Sequence, residues 1–331
     1  MTARPLRAGG AVVLGLAVLG AVLVVHLGVG AKPIALGDVW QALLAPREGV
    51  YDDIIVREMR LPRALFAACV GAALSMAGAL LQGVTRNPLA EPAVLGLTAG
   101  ASLAVVAALG WLGLAGTAAL PLVAGLGAVG GAALTFGIAR AAPAGSGPLT
   151  LVLSGMAVMT FLNAGQEAVT LLNEAVFDRF RVWLSGSLAA GDMAAFRHAL
   201  PLFALGGVAA LALSGRVTAL AMGDETAAGL GVDVARTRGA ALAAVVALTA
   251  ASVALAGPMW FVGLVVPHAV RLFVGADYRR IVPASALAGA VFLMLVDIVA
   301  RTVLAPVEVS TGIVTALVGA PVFIALVRAR L

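Results

Sequence analysis

The sequence predicts an all-α, polytopic membrane protein of about ten transmembrane helices, in a single domain spanning residues 1–331. Hydrophobic residues make up 62% of the chain and a further 40 residues are glycine, whereas soluble domains contain about 45–50% of these types together. Charged residues make up only 11%, against about 25% in soluble domains. So few charges cannot cover a soluble surface, and the uncharged stretches are long enough to cross a bilayer.

The first half of the chain contains five predicted spans, because one crossing takes about 20 mostly apolar residues. The uncharged stretches 8–31 and 64–85 each suit one span. The stretch 92–139 would extend about 72 Å as one helix, so it must hold two spans with a turn near 113–121. A fifth span is expected from 141–172.

The second half of the chain contains five more predicted spans. One is expected at 198–215, and the stretch 239–270 is long enough for two spans separated by a Gly-Pro pair at 257–258. The last two are expected at 281–303 and 309–327. Ten spans place both termini on the same side of the membrane, and twelve of the 21 basic residues then lie on that side. The positive-inside rule therefore predicts that both termini are cytoplasmic.

The composition excludes several functional classes. The single cysteine, Cys69, excludes a disulfide framework and is expected to be a small buried hydrophobe. The only lysine, Lys32, lies outside any Walker A pattern, so ATP and Mg²⁺ would bind to partner subunits. The sequence therefore predicts no catalytic residue, no metal site, no cofactor held by this chain and no nucleic-acid partner. The histidines, which are expected to make structural hydrogen bonds, are His26, His198 and His268.

Three collinear stretches are not explained by spanning a membrane. Residues 85–92 read TRNPLAEP and are followed by LGLTAGA at 95–101. Residues 220–232 read LAMGDETAAGLGV. The third stretch begins with FVGLVVPH at 261–268 and continues through DIVAR at 297–301 to GIVTALVGAP at 312–321. In order and spacing, over nearly the whole chain, these stretches resemble the FecCD family, the permeases of binding-protein-dependent ABC importers for ferric siderophores, haem and vitamin B12.

The resemblance implies a vitamin-B12-importer-like permease fold that acts as a dimer in the bacterial inner membrane. It also implies a second permease subunit, identical or different, two cytoplasmic ATPase subunits and a periplasmic binding protein. The chain would then be a transporter subunit rather than an enzyme. The TRNPLA form at 85–90 and WLSGSL at 183–188 look most like ferric-siderophore permeases, while haem and cobalamin importers remain alternatives.

Two hypotheses from other classes remain open at this point. An ion-gradient-driven secondary transporter usually carries several ionisable groups at mid-membrane. Here only Glu167, Asp297 and Arg301 lie inside predicted spans, all toward the outer side. A membrane-embedded enzyme would need a nucleophile–base or metal pattern, which the sequence lacks. A soluble ATPase that co-purifies with the chain would distinguish the ABC importer from both.

The segment 220–238 is the predicted cytoplasmic coupling segment. Asp224 can cap a short helix, and Asp233 can start a second one. Between them, Gly229 and Gly231 permit a sharp reversal of the chain. In the resembled family this position enters a groove on the ATPase, whereas the alternative is an amphipathic hairpin that binds no partner. The residues predicted to couple to the ATPase are Gly223, Asp224, Glu225, Gly229, Leu230 and Gly231.

Three outer arginines are candidates for docking the binding protein. Arg60 and Arg63 precede the second predicted span, and Arg301 ends the ninth. Arginines at the matching positions of the family hold acidic residues of the binding protein, and the planar guanidinium suits a carboxylate. The alternatives are headgroup anchoring, or for Arg301 an i,i+4 pair with Asp297.

The fifth predicted span carries a polar stripe. Asn163, Gln166, Glu167 and Thr170 are offset by 0, 3, 4 and 7 residues, so they share one helical face. A polar stripe is unfavourable against lipid and should face the protein interior or water. We expect it to line the translocation pathway at the dimer axis, the alternative being a hydrogen-bonded seam between helices.

Overall fold

A computed structural model describes residues 8–114, 119–142, 147–189 and 192–328, which form helices and contain no strand. Ten of the helices are apolar and follow the order of the ten predicted spans, which confirms the all-α polytopic fold. Six are long enough to cross a membrane: Tyr51–Thr85, Leu120–Ala141, Pro148–Leu172, Met193–Ala221, Val234–Ala256 and Tyr278–Thr302. The four shorter ones are Val13–Gly28, Leu97–Trp111, Val262–Val274 and Thr311–Leu326.

We number the α-helices in chain order. They are α1 (Ala8–Gly28), α2 (Leu36–Leu44), α3 (Tyr51–Ile54), α4 (Leu61–Thr85), α5 (Leu97–Trp111), α6 (Leu120–Ala141), α7 (Pro148–Leu172), α8 (Glu174–Leu184), α9 (Met193–Ala221), α10 (Asp224–Gly229), α11 (Val234–Ala256), α12 (Val262–Val274), α13 (Tyr278–Thr302) and α14 (Thr311–Arg328). A π-helical turn joins α3 to α4, and a 3-10 turn at Pro92–Leu95 precedes α5.

Helix α4 forms the centre of the bundle and contacts α9, α11, α12 and α13. Glycines make these contacts close. An added Cβ on Gly71 would overlap the backbone of Gly289, and one on Gly78 would overlap the backbone of Gly263. Small residues of this kind let membrane helices approach until their backbones touch. The abundance of glycine in the spans is therefore explained at these positions by helix packing.

Helices α5, α6 and α7 form a second group beside this centre, and α6 joins the two groups by contacting α11. Gly100 and Gly131 bring α5 and α6 together in the same way. Helix α7 is less enclosed and exposes large apolar side chains such as Phe161. Its outer face is therefore available to lipid or to another subunit.

The helices extend beyond the predicted spans in two places. Arg60 and Arg63, just before the predicted second span, lie in one continuous helical stretch from Tyr51 to Thr85. Pro62 lies just after the π-helical turn at Ile55–Arg60, where the regular i→i−4 hydrogen-bond pattern is already interrupted, so the continuous helix tolerates its missing N–H donor there. The connections before the second and sixth predicted spans also contain helices, namely α2, α3 and α8, which lie outside the predicted spans.

The bundle has two polar ends, which we name after their central acidic residues. Asp224 lies at one end with Arg86, which directly follows α4. Asp297 lies toward the other end with Arg63, in the first turn of α4. Helix α4 therefore runs the length of the protein from the Asp297 end to the Asp224 end.

Candidate functional site

At the Asp224 end, α10 is held by ion pairs. Arg238 donates to both carboxylate oxygens of Asp224 at 2.9 Å, and the Arg86 guanidinium lies 3.6 Å from the same carboxylate. Asp224 is not the helix cap that the sequence suggested. The cap position is Gly223, whose φ of 122° turns the chain so that Asp224 becomes the first helical residue.

The reversal after α10 depends on glycine as predicted. The N–H of Val232 donates to the carbonyl of Ala227 and that of Gly231 to the carbonyl of Ala228, both at 2.9 Å. This is a Schellman motif, and the φ of 77° at Gly231 favours glycine. The expected second short helix is instead the start of α11. Asp233 does cap it, because its carboxylate accepts the N–H of Arg236 at 2.9 Å.

The coupling segment 220–238 presents apolar side chains outside the bundle. Met222 is 63% exposed and Leu230 is 64% exposed, whereas Ala227 is buried and anchors α10. Beside them lies a groove of about 730 Å³, lined by residues from α9, the coupling segment and the start of α13. Such an apolar projection with an adjoining groove suits contact with another protein.

At the Asp297 end, the buried carboxylate of Asp297 contacts four side chains. Arg63 donates to Asp297 through two nitrogens at 2.9–3.2 Å, and Thr311 donates its hydroxyl at 2.8 Å. His26 Nε2 lies 3.0 Å from the same carboxylate, and Arg301 Nε lies 3.3 Å away. Asp297 therefore joins α1, α4 and α13 to the start of α14.

The three arginines predicted to dock the binding protein lie close together at this end, with different exposure. Arg60 is 6% exposed and donates to the carbonyls of Leu27, Gly28 and Lys32. Arg301 is 3% exposed and donates to the carbonyl of His26. The i,i+4 pair of Arg301 with Asp297, the alternative derived from the sequence, is confirmed.

Arg63 is the docking candidate nearest the surface. Its remaining nitrogen donates to Glu308 at 2.7 Å, and the Glu308 side chain is 39% exposed. No sequence pattern pointed to the roles of Glu308 and Thr311 here, or to the contact of His26 with Asp297. The available signal was Asp297 itself, since an acidic residue in an apolar span requires buried partners.

The remaining single residues of interest lie apart from this cluster. Cys69, which was expected to be a small buried hydrophobe, is only half-buried. His198 is exposed, and the ring of His268 packs edge-on against Phe323 with centroids 6.4 Å apart. Among the residues that the structure describes, no three His, Cys, Asp or Glu side chains cluster as metal ligands would.

The polar stripe of α7 faces a groove over part of its length. Gln166, Glu167 and Thr170 line a groove of about 480 Å³ together with Glu174 of α8. Asn163 is half-buried one turn away. The Thr170 hydroxyl bonds to the carbonyls of Gln166 and Glu167 within its own helix, so it offers no free donor to a ligand.

Two breaks in the helices meet inside the bundle. The 86–96 segment separates α4 from α5, and the residues at 257–261 separate α11 from α12. One carboxylate oxygen of Glu91 accepts the N–H of Phe261 at 2.8 Å. The sequence predicted a break in each region, but it gave no indication that the two would be in contact.

The comparison with protein families decides the identity of the chain. The model of the FecCD transport family matches residues 17–329, which is most of the sequence. The chain belongs to the FecCD transport family. The resemblance inferred from the TRNPLAEP and LAMGDETAAGLGV stretches is thereby confirmed.

Several permeases are similar to this FecCD chain. The Fe(3+)-citrate import system permease YfmD of Bacillus subtilis is 40% identical over 303 residues, which cover 92% of this chain and 90% of the relative. The Fe(3+) dicitrate permease FecD of Escherichia coli is 38% identical, with coverage of 94% and 95%. The cobalamin import permease BtuC of Halobacterium salinarum is 40% identical, with coverage of 84% and 74%.

A solved structure is also similar to this FecCD chain over nearly its whole length. It is an inward-facing conformation from an ABC transporter assigned to the metal-chelate type, with a TM-score of 0.83 and 30% identity. The match covers 97% of this chain and 99% of the other. The chain is therefore a multi-pass permease of an ABC importer for substrates of the iron-chelate, siderophore or B12 type. Family membership decides against the ion-gradient-driven transporter.

Proposed function

We propose that this permease imports a ferric siderophore. It would take the iron–siderophore complex from a periplasmic binding protein and pass it to the cytoplasm, driven by ATP hydrolysis on two separate ATPase subunits. The coupling to ATP hydrolysis rests on the coupling segment 220–238, an ion-paired projection with exposed apolar side chains. The iron-chelate substrate is supported by the similarity to two ferric-citrate permeases. In this arrangement the Asp224 end and both termini are cytoplasmic, and the Asp297 end faces the periplasm.

The coupling role is tested by two substitutions with matched controls. Glu225→Arg reverses an exposed charge on α10, and Gly231→Val places a β-branched residue where φ is 77°. Both should reduce co-purification with the ATPase or transport-coupled hydrolysis. Glu58→Arg, at the Asp297 end, and Gly239→Val, where an added Cβ meets nothing within 4 Å, should leave both intact. Normal assembly and coupling in both test variants would refute the assignment.

We infer that Arg63 is the main docking residue for the binding protein. Its side chain is 11% exposed and carries one nitrogen directed at the exposed Glu308, so an acidic residue of a partner can approach it. Docking by Arg60 and Arg301 stays a prediction, and it requires their guanidinium groups to leave backbone carbonyls. These bonds favour a structural role for both residues in the conformation described here.

Docking is tested by charge reversal and by salt. Arg63→Glu alone, and together with Arg60→Glu, should weaken association with the binding protein, and added salt should weaken the wild-type association. Arg57→Glu, an exposed arginine on the same helical stretch, serves as the control. An affinity that neither the reversals nor salt changes would favour headgroup anchoring instead.

We infer that the α7 stripe lines the translocation pathway. A large polar chelate would then meet weakly interacting amides, and tight binding would come from the soluble partner. In a Cys69→Ala background, cysteines at Asn163 and Gln166 should react with a water-soluble thiol reagent in at least one transport state. A cysteine at Phe161, on the exposed apolar face, should stay unreactive in a bilayer. No reaction at either stripe position, with normal transport by Glu167→Gln, would make the stripe a packing seam.

The second candidate substrate is cobalamin, which the 40% identity to a cobalamin import permease favours. Haem import is the remaining alternative within the family. The reconstituted importer with its cognate binding protein should take up iron supplied as a siderophore complex. Uptake of labelled cobalamin or haem, with none of ferric siderophore, would replace the substrate assignment and leave the importer assignment standing.

We infer that two permease subunits pair in the assembled importer, and that the exposed apolar face of α7 takes part. The mass of the detergent-extracted complex should correspond to two permease subunits and two ATPase subunits. A tagged copy of this chain should capture an untagged copy if the dimer is homomeric. Capture of a different permease chain in its place would show a heterodimer.

A further inference from the structure

The 86–96 segment touches the coupling segment at one of its ends and a helix break inside the bundle at the other. Arg86 adopts a left-handed conformation with φ of 54° and lies 3.6 Å from Asp224. Five residues later, Glu91 accepts the N–H of Phe261 at 2.8 Å. A short piece of chain therefore connects the projection at the Asp224 end directly to the start of α12.

Several local features restrict the backbone of the 86–96 segment. The side chain of Asn87 accepts the N–H of Leu89 at 2.9 Å, and prolines follow Asn87 and Glu91. Residues 92–95 form a 3-10 turn, and Gly96 ends it with φ of 76°. The prolines and the Asn87 hydrogen bond restrict the backbone of the segment, so it deforms less readily than an unrestrained loop.

The far end of the segment contacts two further helices. The carbonyl of Leu95 accepts the hydroxyl of Thr135, on α6, at 2.9 Å. The carbonyl of Val94 lies where a Cβ of Gly155 would be, so α7 packs directly on the segment. Helix α7 carries the polar stripe. The segment is therefore in contact with both the coupling segment and a helix of the proposed pathway.

Glu91 is the polar link between the two breaks. The first N–H groups of a helix have no hydrogen-bond partner within that helix, so a nearby carboxylate can accept them. A carboxylate beside a helix N-terminus also interacts favourably with the helix dipole. Phe261 has a positive φ of 67°, which is rare for a large side chain. Its N–H bond to Glu91 holds this unfavourable conformation in place at the start of α12.

We propose that the 86–96 segment is a relay that transmits movement of the coupling segment to the helix breaks, with Glu91 as the positioning residue. The proposal rests on the proposed function, because it requires an ATPase that moves α10. An ATPase-driven shift of Asp224 displaces Arg86, and the stiff segment then displaces α12 through Glu91 and α7 through Val94.

The test is transport per ATP hydrolysed in the assembled importer. Glu91→Ala removes the bond to Phe261 and should lower this ratio about 10-fold, with assembly and basal hydrolysis retained. Glu91→Gln keeps an acceptor oxygen and should remain within about 3-fold of the wild type. Glu58→Ala removes an exposed carboxylate at the other end of the bundle and should have no effect.

The relay also predicts non-additivity between its two ends. Arg86→Gln should lower the ratio about 3-fold, and the double variant with Glu91→Ala should lose no more than Glu91→Ala alone, since both act on one segment. Independent sites would give about a 30-fold loss, which would refute the relay. Normal coupling in Glu91→Ala would refute it as well. If the wild type binds no ATPase, the proposed function fails instead.

Discussion

Replacing Asp297 with asparagine is the most direct test of the buried cluster at the Asp297 end. The carboxylate is fully buried and faces the guanidinium groups of Arg63 and Arg301. Asparagine keeps the shape but removes the negative charge, which leaves two buried cations without their shared partner. Removing one partner of a buried ion pair costs about 3–5 kcal/mol, because the remaining charge stays desolvated.

The matched control is Glu308→Gln, which removes a carboxylate that also binds Arg63. Glu308 is 39% exposed, and exposed ion pairs contribute about 0–1 kcal/mol. The two substitutions thus remove the same charge from the same arginine at different depths. We therefore expect the loss of stability in Asp297→Asn to be at least about three times the loss in Glu308→Gln.

The assay is the thermal unfolding midpoint of the purified permease in detergent. An unfolding entropy of about 2.1 cal/mol/K per residue converts the loss at Asp297 into a decrease of about 4–7 °C, and the loss at Glu308 into about 1 °C or less. Helices that persist in the detergent-unfolded state make that entropy smaller and the decrease larger.

Two results would contradict this reasoning. The first is a decrease for Asp297→Asn no larger than that for Glu308→Gln. The second concerns the double variant Asp297→Asn with Arg301→Met. Arg63 keeps its ion pair with Glu308 in Asp297→Asn, whereas Arg301 loses its carboxylate partner, so removing Arg301 should recover part of the midpoint. A further decrease instead of recovery would show that the charges are not the cause.

Three further predictions concern packing, docking and capping. Gly78→Ala should destabilise the protein by about 1–3 kcal/mol, because the added methyl group overlaps the backbone of α12. The control is Gly130→Ala, whose methyl group meets nothing within 4 Å, and equal thermal unfolding midpoints for the two variants would contradict the prediction. Glu308→Gln should strengthen association with the binding protein by up to about 5-fold, because it frees a nitrogen of Arg63 for a carboxylate of the partner. An unchanged affinity would argue against docking by Arg63. Asp233→Ala should remove about 1 kcal/mol of cap stabilisation, so amide hydrogens in the first turn of α11 should exchange about 5-fold faster. Unchanged amide exchange would contradict the capping role of Asp233.

The spans, the reversal at Gly231 and the cap at Asp233 could all be read from the sequence because their causes are local. A bilayer core offers no hydrogen bonds, so each crossing must be a long uncharged helix, and such stretches are visible in the chain. A left-handed turn favours glycine, and a helix start favours aspartate, in any context. The collinear order of the motifs then indicated the family, and the family comparison confirmed it.

The partners of the polar groups were decided only by the tertiary structure. Asp297 binds His26 and Arg63, which lie 271 and 234 residues away along the chain, and no local pattern links them. The sequence makes Arg60 a docking candidate, and only the fold shows that its guanidinium group donates to three backbone carbonyls. The physical reason is that a charge within a largely apolar bundle must find whatever partners helix packing brings near. That packing depends on glycine contacts such as Gly78 with Gly263, which form between distant parts of the chain.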